Sequence, residues 1–319
     1  MLISRRKLVA VLGSAAAITA LGSTSAFADK LKVAIVMPGN ITDKSWSQAG
    51  YEGINQAGEA LDLDVAYSEK IAQPDQAEAI ADYARRGYKV VIGHGGEFQE
   101  AAERVARKYP ETIFVVNNGH EAKDNIATAD FNYRQFGYVM GYIAGKMSKT
   151  GKAGWIGAQK IKFSTDLNES FIIGFKDAGG KEVFTAWTND WDDIAKGKEA
   201  ALSQIAQGAD VVFPTMDNAV IGSLQACKEK GVWGFGLYYD AIVDWPDTIV
   251  QSAIFDIKGV MKSYLTLAKE GKLEGKNYNF DLTKPEGARI GTFHSAIPAD
   301  VVAEVNGLID KMKSGEFKP

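Results

Sequence analysis

The chain has a single cysteine, Cys227, among its 319 residues. No intrachain disulfide can form, and with no cysteine near Ala28 we expect no lipid anchor. Cys227 falls within a predicted helix, where a small buried apolar residue is the simplest interpretation and a reactive thiol is the alternative. The cysteine content therefore predicts an unlipidated protein whose fold is held together without disulfides.

Histidine is almost as scarce, and His94, His120 and His294 lie far apart in the sequence. The chain has no His-Glu-x-x-His motif and no paired cysteines, so the common zinc-site spacings are missing. It also lacks the Gly-x-Ser-x-Gly motif of many serine hydrolases. We therefore predict no catalytic residue, no metal site and no cofactor.

A surplus of positive charge is missing as well. The 36 lysines and arginines are outnumbered by 40 aspartates and glutamates, and the formal net charge is −4. An acidic chain of this kind is a poor partner for nucleic acid or for an anionic lipid surface. We therefore predict no nucleic acid among its partners.

Long apolar runs are confined to the beginning of the chain. The basic run Arg5-Arg6-Lys7, the apolar stretch 8–21 and the site Ala26-Phe27-Ala28 form the pattern of a signal peptide over residues 1–28, and the paired arginines also fit a twin-arginine signal. Cleavage after Ala28 would move the formal charge from −4 to −7, because it removes three basic residues and no acidic one. These features predict export to a bacterial periplasm.

Strand patterns alternate with helical patterns along the rest of the chain. Runs such as Val90-Val91-Ile92 are apolar on both faces, which is typical of parallel strands covered by helices. The alternation restarts near residue 150. We therefore predict an α/β protein with two doubly wound lobes and a hinged cleft. The first lobe would comprise residues 29–150 plus about 250–275, and the second 151–249 plus about 276–319.

The turn formed by residues 38–48 follows the first predicted strand, at the end where parallel sheets hold ligands. Ser45 and Gln48 have the spacing of a capping box, so Ser45 is the candidate N-cap and Trp46 lies on the first helical turn. The Trp46 ring either packs the helix onto its strand or lies across the cleft as a stacking plate. The same turn supplies two further candidate ligand contacts, Asn40 and Asp43.

Polar and aromatic residues also follow the other predicted strands. Rings can cover the faces of a planar heterocycle while amides and carboxylates read its edges, although any single tryptophan could instead serve lobe packing. The loop His94-Gly95-Gly96 lacks the Gly-Lys-Ser/Thr ending of a phosphate loop, which favours close backbone approach to a neutral ligand. The candidate ligand contacts at these strand ends are Glu97, Phe98, Asn118, Trp191, Asp217, Tyr238 and Asp240.

Several motifs occur in the order of one known family: Asp43-Lys44-Ser45-Trp46 with Gln48, the loop 93–98, Gly141-Tyr142-Ile143-Ala144-Gly145 followed by Thr150-Gly151-Lys152, and the run 208–213. The chain resembles the basic membrane protein family, the solute-binding components of ABC importers, which include purine nucleoside receptors. The resemblance implies a type I periplasmic-binding-protein fold that buries its ligand between two closing lobes. It also implies a purine-type ligand and an inner-membrane ABC permease as partners, with a monomer as the simplest expectation.

The resemblance assigns roles to three of the candidate residues. The family usually has phenylalanine at the position of Trp46, where the ring stacks on the purine. A second family aromatic, which covers the opposite face of the base, corresponds to Trp191. A carboxylate that reads the base corresponds to Asn118, with Asn117 as the neighbouring alternative. The resemblance therefore implies a base held between two rings and read by an amide.

The departures from the family concern the sugar. Nucleoside-binding members carry acidic residues near Met37 and Tyr238 and a lysine near Phe255, which hold the ribose, and all three positions are non-ionic here. Met37 and Phe255 complete the set of twelve candidate ligand contacts. A site without those groups would leave buried hydroxyls unpaired. We therefore predict a free nucleobase such as adenine. A purine nucleoside, an exported nucleoside-processing enzyme and a sensor module remain as alternatives.

Overall fold

The computed structural model describes residues 30–43 and 46–319, so the predicted signal peptide and Ser45 lie outside the described residues. The strands are β1 (Lys32–Val36), β2 (Asp64–Ser68), β3 (Val90–His94), β4 (Ile113–Asn117), β5 (Ile126–Phe131), β6 (Lys152–Gly157), β7 (Glu182–Trp187), β8 (Val211–Thr215), β9 (Trp233–Leu237), β10 (Ile249–Phe255), β11 (Asn277–Phe280) and β12 (Ala288–Ile290). The helices are α1 (Trp46–Leu61), α2 (Gln76–Arg85), α3 (Gln99–Ala106), α4 (Tyr133–Met147), α5 (Lys162–Asp177), α6 (Ile194–Ala206), α7 (Ala219–Lys230), α8 (Ile257–Lys269) and α9 (Ala299–Ser314). In this part of the chain no helix is long and apolar enough to cross a membrane.

The described strands form two sheets of six strands each. The first has the order β2-β1-β3-β4-β5-β11 and the second the order β7-β6-β8-β9-β10-β12. All neighbouring strands run parallel except β10 and β12, which are antiparallel. In both sheets the strand order reverses beside the first strand of its series, and this confirms the prediction of two doubly wound lobes.

The central strands are apolar on both faces because helices cover both sides of each sheet. Every residue of β3 and of β8 is buried. Alternate residues of β1 enter different cores: Val33 and Ile35 pack on one side of the first sheet, and Ala34 and Val36 pack on the other. This two-sided burial is the physical origin of the continuous apolar runs in the sequence.

Two helices follow a strand of one lobe and pack on the other lobe. Helix α4 leaves β5 of the first sheet and packs against α5 of the second lobe, while α8 leaves β10 of the second sheet and packs against α1 of the first. The backbones of α4 and α5 approach closely, since a Cβ on Gly141 would lie 2.1 Å from the carbonyl oxygen of Phe171. The chain therefore passes between the lobes three times: at Asn132 and Asp256, which cap α4 and α8, and between β11 and β12.

The predicted lobe boundaries require correction. The sequence predicts that residues from about 250 belong to the first lobe, but strand β10 lies in the second sheet beside β9. Strand β11 lies in the first sheet beside β5, although residues 276–319 had been assigned to the second lobe. Helix α4 packs with the second lobe, so the first crossing precedes the predicted break near residue 150. Periodicity identifies a buried strand but carries no information about which sheet accepts it.

Candidate ligand-binding site

A cavity of about 630 Å³ lies between the two lobes, at the carboxyl ends of strands from both sheets. Its position follows the general rule that open α/β sheets bind ligands at this edge, beside the reversal of strand order. The first lobe contributes Pro38, Gly39, Asp43, Trp46, Ser47, Gly95, Gly96, Glu97, Asn118, His120 and Asp130, and the second lobe with its crossing helix contributes Tyr133, Gln159, Ile161, Lys162, Phe163, Asp166, Trp191, Asp192, Asp217 and Tyr238.

The turn after β1 is organised by the carboxylate of Asp43. Its two oxygens accept hydrogen bonds from the backbone N–H groups of Ser47 and Gln48, each at 3.0 Å. These N–H groups belong to the first turn of α1 and have no partner within the helix, so a carboxylate here stabilises the helix start. Asp43 thus accepts hydrogen bonds from N–H groups at the start of α1, where the sequence predicts Ser45 as the N-cap. Trp46 is the first residue of α1, as predicted.

The ring of Trp46 stacks on the imidazole of His94, with a centroid distance of 4.3 Å and an interplanar angle of 9°. Two reciprocal hydrogen bonds hold the pair: Trp46 Nε1 donates to the His94 carbonyl oxygen at 3.2 Å, and His94 Nε2 donates to the Trp46 carbonyl oxygen at 2.8 Å. The ring is partly exposed and borders the cavity. It therefore serves packing and also presents an aromatic surface to the cleft.

Buried hydrogen bonds connect His94 to Asn117 and Tyr264. The amide nitrogen of Asn117 donates to His94 Nδ1 at 2.8 Å, and the hydroxyl of Tyr264 donates to Asn117 Oδ1 at 3.3 Å. Since the Trp46 carbonyl oxygen can only accept, the His94 proton resides on Nε2. Complete burial lowers the pKa of His94 to about 4, so the imidazole is neutral at physiological pH.

Further aromatic rings come from the second lobe and the crossing helix. Trp191 stacks on Phe163 with centroids 5.8 Å apart at 22°, and Phe163 lies 5.1 Å from the ring of Tyr133. Tyr238 lies 6.3 Å from Trp46, at an angle of 41°. All of these rings border the cavity. A planar ligand can therefore meet aromatic surfaces from both lobes when they close.

Asn118 and Tyr238 occupy equivalent places in the two sheets, directly after β4 and β9. Both have left-handed backbone conformations, with φ of 59° and 70°. Each donates its N–H to the neighbouring strand, Asn118 to Ala129 at 2.7 Å and Tyr238 to Ala253 at 2.9 Å. A non-glycine residue held in this region costs roughly 1–3 kcal/mol, and such strain concentrates at functional sites.

Carboxylates dominate the charge of the cavity. Asp43, Glu97, Asp130, Asp166, Asp192 and Asp217 border it, and Lys162 is the one lysine among the described lining residues. Lys162 forms an ion pair with Asp166. Burial, followed by the hydrogen bond and charge of Asp217, raises the pKa of Tyr238 well above its usual value. Tyr238 therefore remains a neutral donor.

Two of these carboxyl groups have raised pKa values. Glu97 presents surface to the cavity, but the enclosing walls desolvate it and raise its pKa. Burial raises the pKa of Asp130 to about 6, and Asp166 adds to the shift while the N–H of Phe131 and the charge of Lys162 oppose it. Among the described residues, no group of three histidine, cysteine, aspartate or glutamate side chains could hold a metal ion.

The sequence of most of the chain matches a known protein family. Residues 30–306 match the family model of the PnrA-like ABC transporter substrate-binding proteins. The chain belongs to this family. The match confirms the resemblance inferred from the motifs, and it places the chain among substrate-binding components of ABC transporters, which capture a ligand for transport.

Individual relatives that are similar to this chain include proteins with different roles. The chain is 30% identical over 292 residues to the transcriptional activator protein Med of Bacillus subtilis, covering 90% of each chain. It is 29% identical over 305 residues to a purine-binding protein of Brucella abortus, covering 94% of this chain and 85% of the relative. A solved ABC transporter solute-binding protein of Aeropyrum pernix has a TM-score of 0.80 at 21% identity, covering 90% and 92% of the two chains. The last comparison confirms the type I periplasmic-binding-protein fold.

The structure brings seven of the twelve predicted ligand contacts to the first cavity of this PnrA-like protein: Asp43, Trp46, Glu97, Asn118, Trp191, Asp217 and Tyr238. Three others are placed elsewhere. Met37 and Phe98 are buried in hydrophobic cores, and Asn40 accepts hydrogen bonds from the N–H and hydroxyl of Thr42 instead of bordering the cavity. Met37 continues the apolar strand β1, and Phe98 packs against Gly93 of β3, so packing determines both positions.

Asp240 and Phe255 border a second cavity of about 630 Å³, which shares Trp46, Asp217 and Tyr238 with the first. Asp240 accepts hydrogen bonds from the N–H and hydroxyl of Thr292, at 3.1 and 2.7 Å. Phe255 is buried among aromatic rings at the crossing. These two residues therefore border the adjoining cavity instead of the first one.

Several residues that border the first cavity are not among the candidates predicted from the sequence. Asp130 is the polar residue near the end of the apolar strand β5, so the strand-end rule applied to the other candidates could have found it. Tyr133 and Phe163 lie in the first turns of α4 and α5 and read from the sequence as ordinary core positions. Only the crossing of α4 between the lobes places Tyr133 beside Phe163.

Proposed function

We propose that this protein binds a purine-type ligand, in particular a free nucleobase such as adenine, in the bacterial periplasm and delivers it to an inner-membrane ABC permease. It would act as an exported, unlipidated monomer that closes on its ligand without covalent chemistry. Binding would favour the closed form through the greater number of contacts that the ligand makes when both lobes surround it.

One observation carries the choice of ligand class. Trp46 of the first lobe and Trp191 and Tyr238 of the second border the same cavity, and so does the amide of Asn118. A planar heterocycle needs rings over its faces and both donors and acceptors at its edge, and the Asn118 amide together with the carboxyl groups of the cavity supplies both. The purine-binding relative at 29% identity supports the same class.

The charge of the cavity argues against phosphorylated ligands. Six carboxylates and one lysine among the described lining residues would repel a phosphate, and that lysine is already paired with Asp166. Neutral ligands with N–H donors meet no such repulsion. The proposal therefore excludes nucleotides and keeps bases and nucleosides.

The absence of ionic side chains at the family's ribose positions supports the base over the nucleoside, but on fewer positions than the sequence indicated. Met37 is buried in the core, and Pro38 and Gly39, the first residues after β1 that border the cavity, offer no side-chain hydrogen bond. Tyr238 is already bonded to Asp217. Each sugar hydroxyl left unpaired on burial would cost about 1–3 kcal/mol.

A nucleoside is the second candidate, since a cavity of about 630 Å³ does not exclude a sugar by volume. Titration calorimetry with adenine, hypoxanthine, guanine, adenosine and inosine separates the two. The proposal predicts tighter binding of a base than of its nucleoside. Tighter binding of adenosine than of adenine would refute the nucleobase assignment, and no binding of any of the five would refute the purine class.

A further inference from the structure

Three neighbouring strands place polar side chains in a row along one wall of the cavity. Glu97 follows β3, Asn118 follows β4, and Asp130 lies near the end of β5. The strands are in register, with His94 opposite Asn117 and Asn117 opposite Ala129. All three side chains border the cavity, so carboxyl, amide and carboxyl groups form one polar edge.

The hydroxyl of Tyr133 limits what Asn118 can offer to a ligand. It donates to Asn118 Oδ1 at 2.8 Å, so the amide nitrogen of Asn118 remains as a donor. Asp130 has a different arrangement: Oδ1 accepts from the N–H of Phe131 at 2.8 Å, and no ion pair involves its carboxyl group among the described residues. Asp130 therefore has a carboxyl oxygen, Oδ2, available to a ligand.

The groups that face Asp130 come from three elements. Lys162 and Asp166 lie on α5 and pair with each other, His120 lies in the loop after β4, and Tyr133 begins α4. Lys162, whose charge opposes the raised pKa of Asp130, is thus paired with Asp166, and the cavity wall desolvates the Asp130 carboxyl group. Closure of the lobes on a ligand would remove further water, which favours the uncharged acid.

We propose that Asp130 contacts the ligand as a neutral carboxylic acid and reads an edge that carries a ring nitrogen acceptor beside an amino donor. The acid O–H donates to the ring nitrogen and its carbonyl oxygen accepts from the amino group, which gives two parallel hydrogen bonds. A carboxylate can only accept and would leave the ring nitrogen unpaired. This inference rests on the proposed function and assigns a specificity-determining residue to it.

Proton uptake is the consequence that can be measured. With a pKa of about 6 in the free protein, Asp130 is mostly ionised at neutral pH and must gain a proton when the ligand binds. The apparent Kd for adenine should therefore be constant below about pH 5.5 and rise by about tenfold per unit above pH 6, until the pKa of the bound acid is reached.

The experiment is titration calorimetry of the full protein with adenine from about pH 5.5 to about pH 8. At about pH 7 the measurement is repeated in two buffers of different ionisation enthalpy, which counts the protons exchanged. We expect uptake of nearly one proton per adenine. Asp130→Asn keeps a donor and an acceptor without ionisation, so it should lose the uptake and bind adenine more than about tenfold tighter than wild type near pH 8.

Glu97→Gln is the matched control, because Glu97 is the other carboxyl in the row with a raised pKa. Proton uptake should persist in this variant. Uptake that vanishes in Glu97→Gln and persists in Asp130→Asn would overturn the assignment, as would adenine binding by wild type with no uptake or with proton release. Failure of wild type to bind any purine would instead overturn the proposed function itself.

Discussion

Replacing Trp46 with alanine should weaken ligand binding and also lower the free energy of unfolding, and different contacts of the ring account for the two effects. The ring borders the cavity and could cover one face of a base. Stacking of a base on an aromatic side chain contributes about 1–3 kcal/mol, so the Kd for adenine should rise by roughly 5-fold to 150-fold.

The stability cost has its own origin. Trp46→Ala removes the stack on His94 at 4.3 Å and the hydrogen bond from Trp46 Nε1 to the His94 carbonyl oxygen at 3.2 Å. An aromatic pair and a hydrogen bond each contribute about 1 kcal/mol, so the free energy of unfolding should fall by about 2 kcal/mol. Trp46→Phe retains a ring and should lose much less of either quantity.

Titration calorimetry with adenine and urea denaturation measure the two effects in parallel. Trp245→Ala is the control, because Trp245 borders the second cavity and is not part of the first. It should leave adenine binding nearly unchanged. Loss of stability in Trp46→Ala together with an unchanged Kd would show that the ring only packs, and would refute the stacking role.

Two further predictions concern the fold. Burial lowers the pKa of His94 from 6.5 to about 4, so the unfolded chain binds a proton on His94 at a higher pH than the folded protein does. The free energy of unfolding should therefore fall by about 3 kcal/mol as the pH drops from 6.5 through 4. Urea denaturation at neutral and acidic pH should show a smaller difference for His94→Gln than for wild type, and an equal difference would contradict the assignment. Gly141→Ala should destabilise by more than about 2 kcal/mol, since the new Cβ would meet the Phe171 carbonyl oxygen at 2.1 Å. Gly307→Ala is the control, because a Cβ at Gly307 would meet open space within a helix, and this variant should be slightly more stable than wild type. Equal decreases in the thermal unfolding midpoint of both variants would argue against the close α4–α5 contact.

The class of fold could be predicted from the sequence because burial leaves a direct pattern. Val90-Val91-Ile92 is apolar on both faces since helices cover both sides of β3, and this pattern predicts a central parallel strand wherever it occurs. Strand ends likewise identify candidate site residues, because all parallel strands of a sheet open at the same edge. Asn118, Asp217 and Tyr238 were found in this way and border one cavity.

The strand-end rule fails where a residue close to a strand continues the core. Met37 and Phe98 stand as near to strand ends as Trp46 does, yet they point into hydrophobic clusters. Their direction depends on the pleat and on what packs beneath, such as the fit of Phe98 under Gly93. Neither the pleat nor the packing beneath can be deduced from the composition of a turn.

The sequence by itself determined the alternation of strands and helices, the two doubly wound lobes and the family, because each leaves local patterns of burial and motif spacing. Only the tertiary structure decided that β10 joins the second sheet, that α4 and α8 cross between lobes, and that Asp130, Tyr133 and Phe163 meet at the cavity. The reason is physical: local sequence records how deeply a residue is buried, whereas pairing and packing between distant segments determine which residues are neighbours.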